Sequence, residues 1–396
     1  MSDAIRVSFD ATSVPAKPAG AGRYVLDLLD ALSVRPELDI TVWTRRSDGE
    51  RFAAILAGGR SAPDREHALR PAAPRARPLR LGWEQVLLPG LVARSGAEVH
   101  HGPHYTMPEL SRLAKVVTVH DLTFFDHPEW HERWKVGFFR RAIRVASERA
   151  QAIICVSSHT ADLLRERFRP AGPVFVVPHG VDHHRFHPGA CAGDDTVGER
   201  YGIGGPYLLF VGTIEPRKAV PVLIGAFDLL AGARPELVLV LAGAPGWGSQ
   251  EVDAAIRAAR HAERVIRLGY VPRDDVPALL RGASAVVYPA MEEGFGLPAL
   301  EALACGTQLV TTRATAMAEL AGGAAWLAEA GSATSLAEAI EGALAGGSEA
   351  SAKRELGLDT AASYTWEASA AGHISAYRAA LAAAGDRPSA RGGSVG

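Results

Sequence analysis

The chain has 396 residues, 47% of them hydrophobic and 22% charged, with a net charge of −2. That length exceeds one ordinary core and suits two, and the near-neutral charge excludes a general electrostatic drive toward nucleic acid. Three scattered cysteines, Cys155, Cys191 and Cys305, exclude a disulfide framework and CxxC metal spacing and suit a reducing compartment.

Short apolar runs alternate with longer amphipathic stretches from end to end. The first series of strand candidates is IRVSF (5–9), ITVW (40–43), KVVTV (115–119), AIICV (152–156) and VFVV (174–177). The second is YLLFV (207–211), LVLVLAG (237–243), VIRL (265–268), AVVY (285–288) and QLV (308–310). These runs are apolar on both faces, as buried parallel strands are. Two such series predict an α/β protein with two doubly wound, Rossmann-like domains. Between them, 182–205 turns polar and glycine-rich, which marks a boundary. The segment 58–80 is rich in Pro, Ala and Arg and reads as a surface loop carrying Arg70, Arg75, Arg77 and Arg80. Residues 133–150 read as a basic amphipathic helix, either half-buried with its arginines in solvent or resting on an anionic membrane. No run has the roughly 18–20 apolar residues of a membrane span, and the N-terminus shows no leader pattern, so the expected location is cytoplasmic, at most at the inner membrane face.

Chemistry concentrates in a few loops. In MEEGFGLPALEA (291–302), Glu293 and Glu301 flank a glycine-rich bend that runs into a helix. Gly294 and Gly296 let backbone N–H groups approach a ligand, and the helix N-terminus favours an anion. Diphosphate, ribose and hexose hydroxyls would all find partners there; an ordinary turn with two solvated glutamates is the alternative. Arg217 and Lys218, in VGTIEPRKA (211–219), follow a strand where doubly wound sheets bind ligands, and adjacent cations can hold a diphosphate. His120 ends the strand VVTVH and is either a site residue or a core histidine capped by Asp121. His100, His101 and His104, and His179, His183, His184 and His187, are zinc-ligand types. They lack a helical spacing with a carboxylate partner and are expected on loops after strands. No Asp-x-Asp pair occurs, so no metal and no cofactor are expected.

Together, VGTIEPRK, LAGAPGW, LGYVP and EGFGLPALEALACGT are similar to glycosyltransferase family 4, retaining enzymes of the GT-B fold. The resemblance extends to FDATSVPAKPAGAGRY (9–24), VVTVHDLTFFDHPEW (116–130), CVSSHTADLL (155–164) and VVPHGVDHHRF (176–186), and it spans most of 5–380. It implies two domains facing a cleft: an acceptor-side domain over 1–190, a nucleotide-sugar domain over 191–365, a helix over 366–384 returning to the first domain, and a disordered tail over 385–396. It implies that Arg217 and Lys218 hold the diphosphate and that Glu301 binds ribose. Glu293, with backbone groups of Gly294, Phe295, Gly296 and Leu297, would bind the donor sugar. Tyr270 and Val271 would lie by the base. Gly20 and Gly22 would lie over the phosphates and His120 by the donor sugar. The implied reaction is metal-independent transfer of a hexosyl group, first of all mannose, in bacterial glycan or polysaccharide biosynthesis. The acceptor would be a glycan, a lipid-linked saccharide or a small molecule. A non-catalytic nucleotide-sugar-binding protein and a nucleotide-sugar epimerase use the same fold and remain alternatives. Ala219, Ala318 and Gln308 depart from the family pattern, where Asn, Pro and Pro are common.

Overall fold

A computed structural model describes residues 4–18, 20–57, 67–313 and 315–385. The chain divides into two compact units. One comprises 1–120, 137–177 and 367–396; the other comprises 121–136 and 178–366. The cut in the main chain therefore falls between Val177 and Pro178, and Asp121–Val136 groups with the second unit.

The first unit holds a seven-stranded sheet of β1 (Ile5–Asp10), β2 (Leu38–Arg45), β3 (Ala68–Ala73), β4 (Val99–Gly102), β5 (Ala114–Val119), β6 (Ala152–Cys155) and β7 (Val174–Val176). Its order is β3-β2-β1-β4-β5-β6-β7, and every neighbouring pair is parallel. The second unit holds a six-stranded sheet of β8 (Tyr207–Val211), β9 (Val238–Ala242), β10 (Val265–Gly269), β11 (Ala285–Tyr288), β12 (Leu309–Thr312) and β13 (Ala325–Ala328), ordered β10-β9-β8-β11-β12-β13 and also parallel throughout. Every residue of β5, β8, β11 and β12 is buried. Helices on both faces of a parallel sheet bury both sides of each strand, which is why these runs show no alternation. In each sheet the order reverses once, at β1/β4 and at β8/β11. Crossovers diverge there and leave a crevice beyond the strand ends.

Three strands escape the apolar-run criterion. β3 lies within the stretch expected to be a loop: Thr41 pairs with Ala68 and Trp43 with Arg70. Pro71 is tolerated because β3 is an edge strand. Arg77 and Arg80 belong to the helix Arg77–Val86, so only Arg75 of the four arginines lies on a connection; 58–66 lie outside the described residues. β4, VHHG, is masked by its own histidines. His100 and His101 are not on a loop but fully buried within it. β13, AWLA, is too alanine-rich to stand out. The final helix runs Trp366–Gly385, so Gly385 belongs to it rather than to the expected tail, whose remainder, 386–396, lies outside the described residues. Among the described residues no helix is long and apolar enough to cross a membrane.

Candidate functional site

In the second unit the crevice is built from the loops after β8 and β11, strands adjacent in space (Leu208 opposite Ala285) though remote in sequence. The β8 loop opens at Gly212, where an added Cβ would lie 2.8 Å from Lys218 Nζ. The ammonium thus packs directly over backbone. A short turn, Pro216–Lys218, then presents both cations, and it closes on Ala219, whose φ of 45° is left-handed. The β11 loop is fastened to it by the Met291 N–H, which donates to the Arg217 carbonyl at 2.7 Å.

Arg217 Nη1 donates to Glu293 Oε2 at 2.6 Å and its Nε to Glu215 Oε2 at 3.1 Å. Burial works against the guanidinium's charge, but Glu293, Glu215 and Asp121 hold its pKa well above the ordinary value. Lys218 is buried, with Nζ 5.2 Å from the centre of the Tyr288 ring. Burial pulls its pKa down, and Glu293 resists that shift. A desolvated ammonium beside a guanidinium is a strong anion receptor, because little water has to be displaced before charge meets charge.

The helix Leu297–Ala304 follows the bend. Gly296 is its N-cap, at φ 96° and ψ 56°, with no side-chain cap and no acid in the first turn. Pro298 has no N–H and the Ala299 N–H already donates to the Gly296 carbonyl at 2.9 Å, so the Leu297 N–H and the backbone of the bend before it are what this end can offer a ligand. Glu301 is buried within this helix. The Phe295 ring packs edge-on against His179 at 4.6 Å, which leaves its backbone as the part that can meet a ligand. Tyr270, 40% exposed, and buried Val271 follow β10, at the carboxyl end of the same sheet.

In the first unit, Gly20 (φ 41°) caps the helix Ala21–Ser33, again without a side-chain cap or an acid in the first turn. A Cβ on Gly22 would sit 3.1 Å from both Pro15 and Pro18, so this glycine packs the loop against its own prolines. Ala19 lies outside the described residues. His120 directly follows β5, is buried, and donates from Nε2 to the Pro103 carbonyl at 2.8 Å. Asp121 Oδ1 accepts from the backbone and hydroxyl of Thr123.

Sequence reasoning missed several charged groups. Glu215 shares Arg217 with Glu293. Asp121 acts electrostatically on Arg217 and His131, and His131 Nε2 lies 2.9 Å from the Thr123 hydroxyl. In the first unit, Glu84 is buried with Oε2 lacking a hydrogen-bond partner; burial and then Asp10, at the end of β1, push its pKa up to about 8. Nothing in the local pattern marks Glu84, which reads as one polar residue of an amphipathic helix.

A cavity of about 390 Å³ lies elsewhere in the second unit, lined by Asp182, Arg185, Asp194, Arg200, Asp275 and Arg281 among others. Its arginines are already engaged: Arg281 holds Asp194 through two 2.7 Å bonds and Arg200 holds Asp275 at 2.6 Å. It reads as a clasp for the 182–200 segment. Among the described residues no group of three or more His, Cys, Asp or Glu side chains is arranged to hold a metal ion.

Two family profiles match: Glycosyltransferase Family 4 over residues 18–185, and Glycosyl transferases group 1 over residues 200–355. The chain is a glycosyltransferase of the GT-B type. This glycosyltransferase is 27% identical over 387 residues to the O-antigen chain mannosyltransferase B of Escherichia coli, covering 94% of this chain and 100% of the relative. Among solved structures, sucrose-phosphate synthase from Thermosynechococcus elongatus has a TM-score of 0.75 at 21% identity, covering 96% of this chain and 100% of its own. Anabaena HepE in complex with UDP-glucose has a TM-score of 0.70 at 18% identity, covering 94% and 99%. These two establish the likeness of fold.

Proposed function

We propose that this glycosyltransferase moves a hexosyl group, mannose first, from a nucleoside diphosphate sugar to an acceptor hydroxyl with retention of anomeric configuration and without a metal ion. The observation that carries this reading is the convergence of Arg217, Lys218, Glu293 and the glycine bend before Leu297–Ala304 at one switch point. The likeness to a mannosyltransferase over the full length supports mannose as the sugar, and the fold's likeness to a UDP-glucose complex supports the donor class.

As the anomeric C–O bond breaks, positive charge spreads over the sugar ring and negative charge collects on the β-phosphate. Lys218, Arg217 and the backbone N–H of Leu297 would receive that negative charge, a preorganised arrangement that needs little rearrangement during reaction. Glu293, held by Arg217, offers its remaining oxygen capacity to sugar hydroxyls, and Glu301 serves the ribose. His120 contacts the donor sugar, and the leaving phosphate oxygen takes the acceptor's proton. The acceptor is a glycan, a lipid-linked saccharide or a small molecule. Location in the cytoplasm, with or without contact between helix Arg133–Arg149 and the membrane face, belongs to the same reading.

The test is thermal unfolding with GDP, UDP, ADP and dTDP, each with and without magnesium. A ligand that binds only the folded chain raises the midpoint according to its affinity. One nucleotide should shift the midpoint, equally without magnesium, and the shift should vanish in Lys218→Ala. No shift with any of the four would overturn the donor-site reading. Release of epimerised sugar from donor alone would favour an epimerase instead.

A further inference from the structure

Beneath His120 lies a run of five fully buried side chains, Tyr377, His101, Thr118, Tyr24 and His373. Tyr377 Oη is 2.8 Å from His101 Nδ1, and His101 Nε2 is 2.9 Å from Thr118 Oγ1. Thr118 Oγ1 is 2.9 Å from Tyr24 Oη, and Tyr24 Oη is 2.9 Å from His373 Nε2. His373 Nδ1 ends the run at the Ser369 carbonyl, 2.7 Å away.

The terminus dictates every proton in the run. A carbonyl oxygen can only accept, so His373 carries its proton on Nδ1. Full burial keeps the ring neutral, so Nε2 is an acceptor and Tyr24 must donate to it. Tyr24 has one proton, so its oxygen accepts from the Thr118 hydroxyl. Thr118 in turn accepts from His101 Nε2–H, which leaves His101 Nδ1 to accept from Tyr377. The five bonds form one directional chain with both histidine tautomers determined.

Tyr24 is where this chain meets the site. Its backbone N–H donates to the Gly20 carbonyl at 3.0 Å, closing the first turn after the glycine loop. Its ring meets His120 edge-on, with centroids 5.0 Å apart and planes at 81°. Thr118 stands two residues before His120 on the same strand end.

We infer that Tyr24, held through its hydroxyl by Thr118 and by His373 of the C-terminal helix, is a positioning residue that sets the placement of both His120 and the Gly20–Gly22 loop. The inference rests on the transferase reading for the role of His120, but the proton order does not. A dipole chain with one allowed polarity has one low-energy geometry, so the Tyr24 hydroxyl is pinned and the χ1 rotations that would carry the ring away from His120 are disfavoured. Orientation of this kind acts on turnover more than on ground-state binding.

Imidazole ¹⁵N–¹H correlation spectra of the full chain test the chain directly. His101 should be protonated on Nε2 and His373 on Nδ1; the opposite tautomer at either position overturns the inference. Tyr24→Phe keeps the ring and removes the hydroxyl. It should shift the His120 resonances and lower turnover of GDP-mannose to GDP by about tenfold, with less than about threefold change in donor KM. Should that variant not fold, Thr118→Val and Thr118→Ser replace it: the valine variant should show the same split and the serine variant should restore turnover. Tyr377→Phe removes the hydroxyl at the far end, where the ring packs on His101; it should cost turnover less than Tyr24→Phe, and equal losses at equal stability would reduce the chain to a purely structural role and overturn the proposal. His120→Ala separates the two readings. Full turnover in that variant defeats the catalytic assignment of His120. Lost turnover there, with Tyr24→Phe leaving both the His120 signals and the rate unchanged, defeats the positioning role alone.

Discussion

Lys218 shows most directly how a side chain acquires a task from its surroundings. A buried ammonium with a lowered pKa destabilises the fold unless something offsets its desolvation, and Glu293 does so only in part. Under the proposed function, an incoming diphosphate would complete the compensation. Lys218→Ala should therefore cost about 10²–10³ in transfer rate while leaving the thermal midpoint of the unliganded chain unchanged or higher. A fall of many degrees instead would make Lys218 a structural residue. The neighbouring Ala219 illustrates backbone strain. Its left-handed φ of 45° costs an L-residue with a Cβ about 1–2 kcal/mol, and Asn, which the family pattern often has there, tolerates that region better. Ala219→Gly should raise stability by about 0.5–1 kcal/mol after the entropy of the unfolded glycine is counted, read as a denaturant midpoint moving up at constant m-value. The other two departures are accommodated locally. Gln308 bridges the Ala350 carbonyl at 2.8 Å and the Trp326 indole N–H at 2.8 Å, and Ala318 supplies an N–H to the Thr315 carbonyl that proline could not.

Among the elements, the bend before Leu297–Ala304 shapes the loops at the β8/β11 switch point. Gly296 needs φ 96°, and a Cβ there would lie 2.4 Å from Met317 Cγ. Met317 is flexible enough to yield, so the backbone term dominates. Gly296→Ala should destabilise by about 2 kcal/mol and weaken nucleotide binding beyond what that loss explains, because the Leu297 N–H and the backbone of the bend would turn away. Calorimetric titration of the nucleotide into folded Gly296→Ala checks this; unchanged affinity would show that the bend shapes the fold but not the site. The sequence made this element legible, since glycine before a Leu-Pro helix start has few other uses. It did not make β4 legible. His100 and His101 look like loop or metal residues in one dimension. In the sheet they are interior: β1 and β5 flank the strand on both edges, Ser8 meets His100 Nδ1, and Tyr377 and Thr118 meet both nitrogens of His101, while His100 Nε2 is buried with no hydrogen-bond partner. The basic helix Arg133–Arg149 carries an ordinary surface pairing in part, with Arg141 and Arg149 both engaging Glu109.

For the whole molecule, buried titratable groups set an unusual dependence of stability on pH. Burial pushes His100 and His373 down to about 4, His101 well below 6.5, and His131 in the same direction. Their folded pKa values are depressed, so the unfolded chain takes up protons that the fold refuses. Their contribution is complete above about pH 6.5 and declines as pH falls toward 4. Glu84 works oppositely. Its folded pKa is raised to about 8, so its contribution is complete below the ordinary glutamate value and is lost as pH rises through 8. Each group changes stability by at most about 1.4 kcal/mol per pH unit in its window. Four histidines outweigh one glutamate below pH 6.5, and Glu84 acts with little opposition above it. Stability should therefore peak near pH 6.5, fall steeply toward pH 4.5 and fall gently toward pH 8, as read from denaturant midpoints across that range. A steady rise to pH 8 would contradict the assignment for Glu84, and Glu84→Gln should flatten the alkaline side.

Ten of the thirteen described strands, the loop that carries Arg217 with Lys218, the bend that carries Glu293, the helix that carries Glu301 and the strand-end position of His120 follow from the sequence alone. Each depends on a local signal: an apolar run, a glycine where φ must be positive, a proline at a helix start. The order of the strands, and with it the meeting of residues 217 and 293 at β8/β11, was decided by tertiary structure. So were Glu215, Asp121 and His131 around Arg217, the buried Glu84, and the proton-ordered chain from Tyr377 to Ser369. These arrangements join residues tens to hundreds of positions apart, and their energies come from desolvation and hydrogen-bond geometry, which exist only after the chain has packed.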